Sequence, residues 1–200
     1  MATLSLASDL AWRFAANEAL ARGSSVLEPG DLLVGILSIE KVFSPELAAM
    51  LRITEYGLST VRVEWQEILR AAATAVAGPA VLRRSIRDEM PHLPKEVTKA
   101  KSSKPKVSRS AASKAAFTRA GELADTAGST VVGIRYLLFA ALEGASADFS
   151  QSLFDQLLRI KIAISPLVHQ PLHTSISKLE QGYVSDAAIA PTIDRRKAKA

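Results

Sequence analysis

The chain contains no cysteine, which removes disulfide staples and thiolate metal sites, so packing, hydrogen bonding and charge must hold the fold together. A reducing compartment is compatible with that composition. No apolar run approaches the roughly 20 residues that a membrane-spanning helix needs. Asp9 and Arg13 interrupt the N-terminal stretch where a signal peptide would carry its apolar block. The expectation is a soluble cytoplasmic protein with no membrane partner. Glycine never precedes lysine in this sequence, so the Gly-x-x-x-x-Gly-Lys-Ser/Thr loop that cradles nucleotide phosphates is missing. No Gly-x-Ser-x-Gly turn presents a nucleophilic serine. Of the three histidines, His92, His169 and His173, the last two are four apart, but Pro171 between them interrupts the helix that would place them on one face. Solvated loop histidines are the simpler reading. The carboxylate pair Asp88-Glu89 lies in a charged connecting stretch, where solvation is the ordinary state of such a pair. These gaps describe a chain with no catalytic constellation, no cofactor and no metal site.

What is present is helix-forming. With 48% hydrophobic residues in 200, one sizeable core can be buried. Ala, Leu, Glu, Lys and Arg dominate the periodic stretches and β-branched runs are short, which favours an all-α fold. The stretch from Ser129 to Leu142 has a second version 105 positions earlier: Gly23 matches Gly128, Ser24 matches Ser129, Val26 matches Val131, Leu32-Leu33 matches Leu137-Leu138 and Leu37 matches Leu142. Ser5 and Ser110 stand at the same offset as helix caps. Each begins a helix with a small-residue face, Ala7, Ala11, Ala15 and Ala19 in the first copy, that a glycine stops. Asp9, Arg13, Asn17 and Arg22 fall on the side of the first helix expected to be wet. Pro29 then opens an amphipathic helix with Leu32, Leu33, Ile36 and Leu37 on its apolar side. Ser44-Pro45-Glu46 signals a short third helix. A fourth is expected from about Leu58 to Ala77, closed by Gly78-Pro79. In the second copy the helices are expected from Ser110, from Gly133 to Leu142, from Phe149 to Leu158 and from about Ile160 to Val168, with Leu51-Arg52-Ile53 pairing with Leu158-Arg159-Ile160. The resulting expectation is an all-α, pseudo-twofold bundle of two repeated four-helix units.

Charge is concentrated between the copies. From Arg83 to Arg109 there are nine Lys or Arg against three acids, an excess of six, whereas the whole chain carries +5. Pro79, Pro91, Pro94 and Pro105 punctuate this stretch, and Lys101-Ser102-Ser103-Lys104-Pro105-Lys106 has too little apolar content to offset the entropy of ordering. The chain therefore divides into a first repeat, residues 1 to 78, a basic and mobile Pro/Lys/Ser linker, 79 to 109, a second repeat, 110 to 168, and an extended tail, 169 to 200. The start of the linker, around Val81-Leu82 and Ile86, can pack as one more helical turn. A basic linker could also bind nucleic acid or another polyanion through phosphate contacts, which would make the chain a stand-alone scaffold. No aromatic residue interleaves its lysines to stack on bases, so solvated linker is the preferred reading.

The repeated unit of helix, glycine turn, Val-centred connection, Leu-Leu helix and short final helix resembles the Clp N-terminal repeat domain. That domain occurs as a tandem pair ahead of the ATPase rings of Clp-type AAA+ unfoldases. The resemblance covers Ser5 to Leu51 and Ser110 to Leu158, and Pro191-Thr192-Ile193-Asp194 is similar to the Pro-Thr-Leu-Asp segment that often leads from the domain into the first ATPase module. It implies a non-catalytic module that binds protein substrates or adaptors for an AAA+ ring in cis or in trans. Family members commonly carry Thr-Glu-His before the Leu-Leu pair, and in some that glutamate receives phosphorylated arginine. Here the triplets are Pro29-Gly30-Asp31 and Ile134-Arg135-Tyr136. A cationic Arg135 repels a guanidinium and attracts an anion, so that recognition mode does not transfer. Aromatic residues at helical spacing are ordinarily core. The positions near the Leu-Leu helices and their following loops, Gly30, Asp31, Phe43, Arg135, Tyr136, Phe139 and Phe149, are the candidate partner-binding residues, because helical bundles take peptides in apolar grooves between elements.

Overall fold

A computed structural model describes residues 3–73, 78–91, 107–145 and 149–172. The described chain is mostly helical, with eight α-helices and four two-residue strands. It starts with β1 (Thr3–Leu4) and α1 (Leu6–Ala21), followed by β2 (Val26–Leu27), α2 (Pro29–Leu37), a 3-10 turn (Ile39–Phe43), α3 (Pro45–Met50), α4 (Glu55–Ala72) and α5 (Pro79–Glu89). After residues 92–106, outside the description, come β3 (Ser108–Arg109), α6 (Ala111–Thr126), β4 (Val131–Val132), α7 (Ile134–Gly144), α8 (Gln151–Ile164) and a second 3-10 turn (Ser165–His169).

Local chemistry repeats at the expected offset. Ser5 Oγ accepts from the Ser8 N–H at 3.2 Å and Ser110 Oγ from the Ser113 N–H at 3.1 Å, capping α1 and α6. Both helices end in a left-handed glycine, Gly23 at φ 88° and Gly128 at φ 71°. The following serine N–H reaches back five residues, Ser24 to Ala19 and Ser129 to Ala124, each at 2.8 Å, which satisfies carbonyls that a helix end leaves free. The serine hydroxyls then donate to the carbonyls of Val26 and Val131, shaping both connections. Strand pairing crosses between the copies: Thr3 and Leu4 lie parallel to Val131 and Val132, and Val26 and Leu27 lie parallel to Ser108 and Arg109. The Ser5 N–H donates to Val132 O and the Ser110 N–H to Leu27 O, both at 3.0 Å. What leads into each capped helix thus pairs with the connection beyond the other one.

The core is centred on α2 and α7, which pack on each other and are flanked by α1, α5 and α6. All nine residues of α2 are buried, and so are eight of the eleven in α7. This corrects the expectation that α2 has a wet face: a helix buried on every side is an interior helix. The alanine face of α1 serves that burial. Ala7, Ala11, Ala15 and Ala19 are fully buried, and Gly35 of α2 comes so close that a Cβ there would stand 2.4 Å from the Ala11 carbonyl oxygen.

Several expectations need correction. Arg13 and Asn17 are exposed, but Asp9 and Arg22 are buried, Asp9 bonded to Arg13 Nε at 2.9 Å and Arg22 held by Asp31. Helix α4 starts at Glu55, capped by Thr54 Oγ1 rather than near Leu58, and residues 74–77 lie outside the description. Helix α8 continues through Ile160 to Ile164 where two helices were expected. Its first copy counterpart breaks at Arg52, with φ 56°, so the pairing of Leu51-Arg52-Ile53 with Leu158-Arg159-Ile160 joins a helix end to a helix interior. The described residues of 110–168 accordingly carry three α-helices and most of a 3-10 turn.

The segment expected as linker begins with packed structure. Leu82, Ile86 and Met90, spaced by four, are buried against α2, and Pro79 occupies the first turn of α5. Two of its three arginines turn back onto the fold, while Arg84 is exposed. Arg83 Nη1 donates to the Leu37 carbonyl at the end of α2 and to Glu40 Oε1, each at 2.7 Å, and Arg87 Nε donates to Glu18 Oε2 at 2.8 Å. The Glu18 hydrogen bond raises the Arg87 pKa, and partial desolvation, followed by Arg83 and Arg87, holds that of Lys41 below its ordinary value. An apolar face and matched charges dock the helix despite its basic composition. The linker lysines Lys95, Lys99, Lys101, Lys104 and Lys106 and the tail from residue 173 lie outside the described residues.

Candidate functional site: the first turns of the two central helices

The first turn of α2 is held by charge. The Glu28 N–H donates to Asp31 Oδ2 at 2.9 Å as part of a capping box. The same carboxylate takes a two-point contact from Arg22, Nε to Oδ1 at 3.2 Å and Nη2 to Oδ2 at 2.8 Å. Both side chains are over nine-tenths buried, at 8% and 2% exposure. Removing either partner would strand a buried charge. The remaining Arg22 amino group, Nη1, donates to the Pro91 carbonyl at 3.2 Å and so fastens the end of α5 over the helix start. There Met90 covers Gly30, its Sδ 2.8 Å from where a Cβ would be. Beside this closure lies a cleft of about 720 Å³ whose walls include Pro29, Gly30, Met90, Pro91, Ala145 and Phe149. Glu89 binds across its rim to the cap of α8, accepting from the Ser150 N–H at 2.6 Å and from Ser150 Oγ at 2.5 Å.

The first turn of α7 is built with different residues. Buried Glu64 of α4 accepts from the Ile134 N–H at 2.9 Å and from Ser5 Oγ at 3.1 Å, so one carboxylate caps α7 and ties it to the start of α1. A negative group at a helix N-terminus meets the unpaired N–H groups and the positive end of the dipole. Arg135 Nη1 donates to Glu67 Oε2 at 3.2 Å, and its Nη2 donates to Tyr136 Oη at 3.2 Å and to the Gln170 carbonyl. Tyr136 Oη donates to that same carbonyl at 2.6 Å.

The seven candidate residues do not converge. Gly30 and Phe149 line the cleft, with Asp31 buried in the ion pair beneath it. Arg135 and Tyr136 are 3% and 0% exposed and belong to the other helix start. Asp31, Arg135 and Tyr136 are therefore internal ties, and the anion expected for Arg135 is supplied within the chain by Glu67. Phe43 and Phe139 are half-buried elsewhere, covered respectively by the Arg62 guanidinium at 5.2 Å and the Lys161 ammonium at 5.2 Å. Sequence reasoning missed Arg22, Glu64, Met90, Gln170 and Leu172. Only Met90 left a signal, the four-residue spacing with Leu82 and Ile86.

Other chemistry is sparse. Among the described residues, no group of three or more His, Cys, Asp or Glu is placed to hold a metal ion, and no helix is long and apolar enough to cross a membrane. His169 is exposed at the end of the second 3-10 turn, while His92 and His173 lie outside the description. Of the four described arginines in the basic segment, Arg83 and Arg87 face acids, Arg109 lies over the Phe117 ring at 4.8 Å and the Trp12 ring at 5.8 Å, and Arg84 is exposed. No protein-family model matches the chain, and a search of curated proteins finds no match.

Proposed function

We propose that the chain is a pseudo-twofold bundle of two repeated helical units, similar to the Clp N-terminal repeat, and that it serves as the non-catalytic substrate- or adaptor-docking module of a Clp-type ATP-dependent unfoldase. The observation that carries this reading is the crossed strand pairing, Thr3–Leu4 with Val131–Val132 and Val26–Leu27 with Ser108–Arg109. Each pairing maps onto the other at the 105-residue offset found in the sequence. A tandem repeat whose copies clasp one another in this way sets two corresponding helix starts, differently built, in one fold, suited to presenting docking surfaces. Docking raises the local concentration of a bound protein at an ATPase ring, joined in cis or acting in trans, without any chemistry in this module.

Removing residues 1–160 is expected to lower turnover of particular protein substrates by the associated ATPase while basal ATP hydrolysis stays unchanged. Unchanged turnover of every substrate tested contradicts the reading.

A further inference from the structure

The start of α7 is closed by the chain itself. Beyond the second 3-10 turn, Gln170 gives its carbonyl to Arg135 and Tyr136, and Leu172 lies on Gly133, its Cδ1 2.0 Å from where a Cβ would stand. The receiving residues are buried, Arg135 and Tyr136 among them, whereas Gln170 is exposed and Pro171 and Leu172 are only half-buried. A deep receptor is thus filled by a shallow occupant. The fit is also incomplete: Arg135 Nε is buried and has no acceptor among the described residues. A buried donor without an acceptor bears its full desolvation cost, and native interiors rarely leave one. The start of α2 is closed by the same kinds of contact, Arg22 holding the Pro91 carbonyl and Met90 lying on Gly30.

We propose that Gly133, Arg135 and Tyr136 form a peptide-binding site occupied in cis, with Gln170–Leu172 as a displaceable strap. The ligand it excludes is an extended peptide of another protein that offers a backbone carbonyl to Arg135 and Tyr136 and a leucine-sized apolar side chain to Gly133. This rests on the docking reading, to which it adds the chemistry of the bound segment and a built-in restraint on binding. The strap lowers apparent affinity for such a peptide by the fraction of time the site stands open.

The test uses the full chain and an amidated, fluorescein-labelled peptide copying residues 168–173, followed by fluorescence anisotropy. Leu172→Asp evicts the strap and is expected to bind the peptide roughly tenfold or more tightly than the unchanged chain. Adding Tyr136→Phe to that variant should weaken binding about fivefold, by removing one donor to the peptide carbonyl. Replacing the peptide's own leucine with aspartate should abolish binding. Equal affinity for the strapped and opened chains, or undiminished binding of the aspartate peptide, overturns the proposal. Where Leu172→Asp loses its helical circular dichroism, Leu172→Ala makes the same comparison. Substrate turnover that depends on residues 1–160 without peptide exchange overturns this site alone. Peptide exchange with turnover indifferent to that deletion overturns the docking reading alone.

Discussion

Gly35 and Gly128 show how differently two glycines can matter. A Cβ on Gly35 would meet backbone of α1 on two sides, the Ala11 carbonyl at 2.4 Å and the Ala15 nitrogen at 2.6 Å, so the helices would have to part. Gly128 has open space around its missing side chain, and its φ of 71° is the sole obstacle to substitution. Gly35→Ala should therefore destabilise the protein by about 3 kcal/mol through overpacking. Gly128→Ala should cost about 1 kcal/mol. Urea denaturation of the two variants tests the ranking, and equal midpoints would contradict the close approach of α1 and α2. At Glu64 the loss is electrostatic: Glu64→Ala leaves the buried Ile134 N–H without its acceptor and should cost about 2 to 3 kcal/mol in the same assay. Sequence alone exposes Gly128, because a glycine after an alanine-rich helix is a stop signal. It hides Gly35 and Glu64, since a glycine inside a helical pattern reads as a weakness and a glutamate as surface until the partner across the fold is known.

Helix α5 is the element hardest to place from its residues, whereas α2 is legible in its position but not in its burial. The apolar series Leu82, Ile86 and Met90 is embedded in arginines, and mean composition describes a solvated linker although the spacing describes one helix face. The arginines find Glu18 and Glu40 only through the tertiary fold, at sequence separations of 69 and 43 residues. The two contributions can be separated experimentally. Ile86 is fully buried, so Ile86→Ala should lower stability by about 3 kcal/mol and raise hydrogen exchange at the end of α2. Arg87 and Glu18 are 38% and 23% exposed, and solvent screening limits Arg87→Ala to less than about 1 kcal/mol. A larger loss for Arg87→Ala than for Ile86→Ala would mean that charge, not the apolar face, docks α5. For α2 the series Leu32, Leu33, Ile36 and Leu37 is visible in the sequence, but nothing in it shows that Asp31 turns inward to Arg22.

At the scale of the molecule, the 105-residue offset was legible because caps, glycine stops and Leu-Leu pairs are local features that recur with their spacing intact. The clasp between copies was not, since two-residue strands such as Val26–Leu27 carry no periodicity to read. With α2 packed on α7 and Glu64 joining α1 to α7, the helices before and after residues 92–106 share one core, so thermal unfolding should be a single cooperative transition with the same midpoint by tryptophan fluorescence and by circular dichroism. The docking reading rests on the crossed pairing of the copies, and nuclear Overhauser contacts across the two strand pairs in isotopically labelled protein test that most directly. The account predicts interstrand contacts joining Thr3 and Leu4 to Val131 and Val132, and a matching set joining Val26 and Leu27 to Ser108 and Arg109. Either set missing while the other is strong would contradict it.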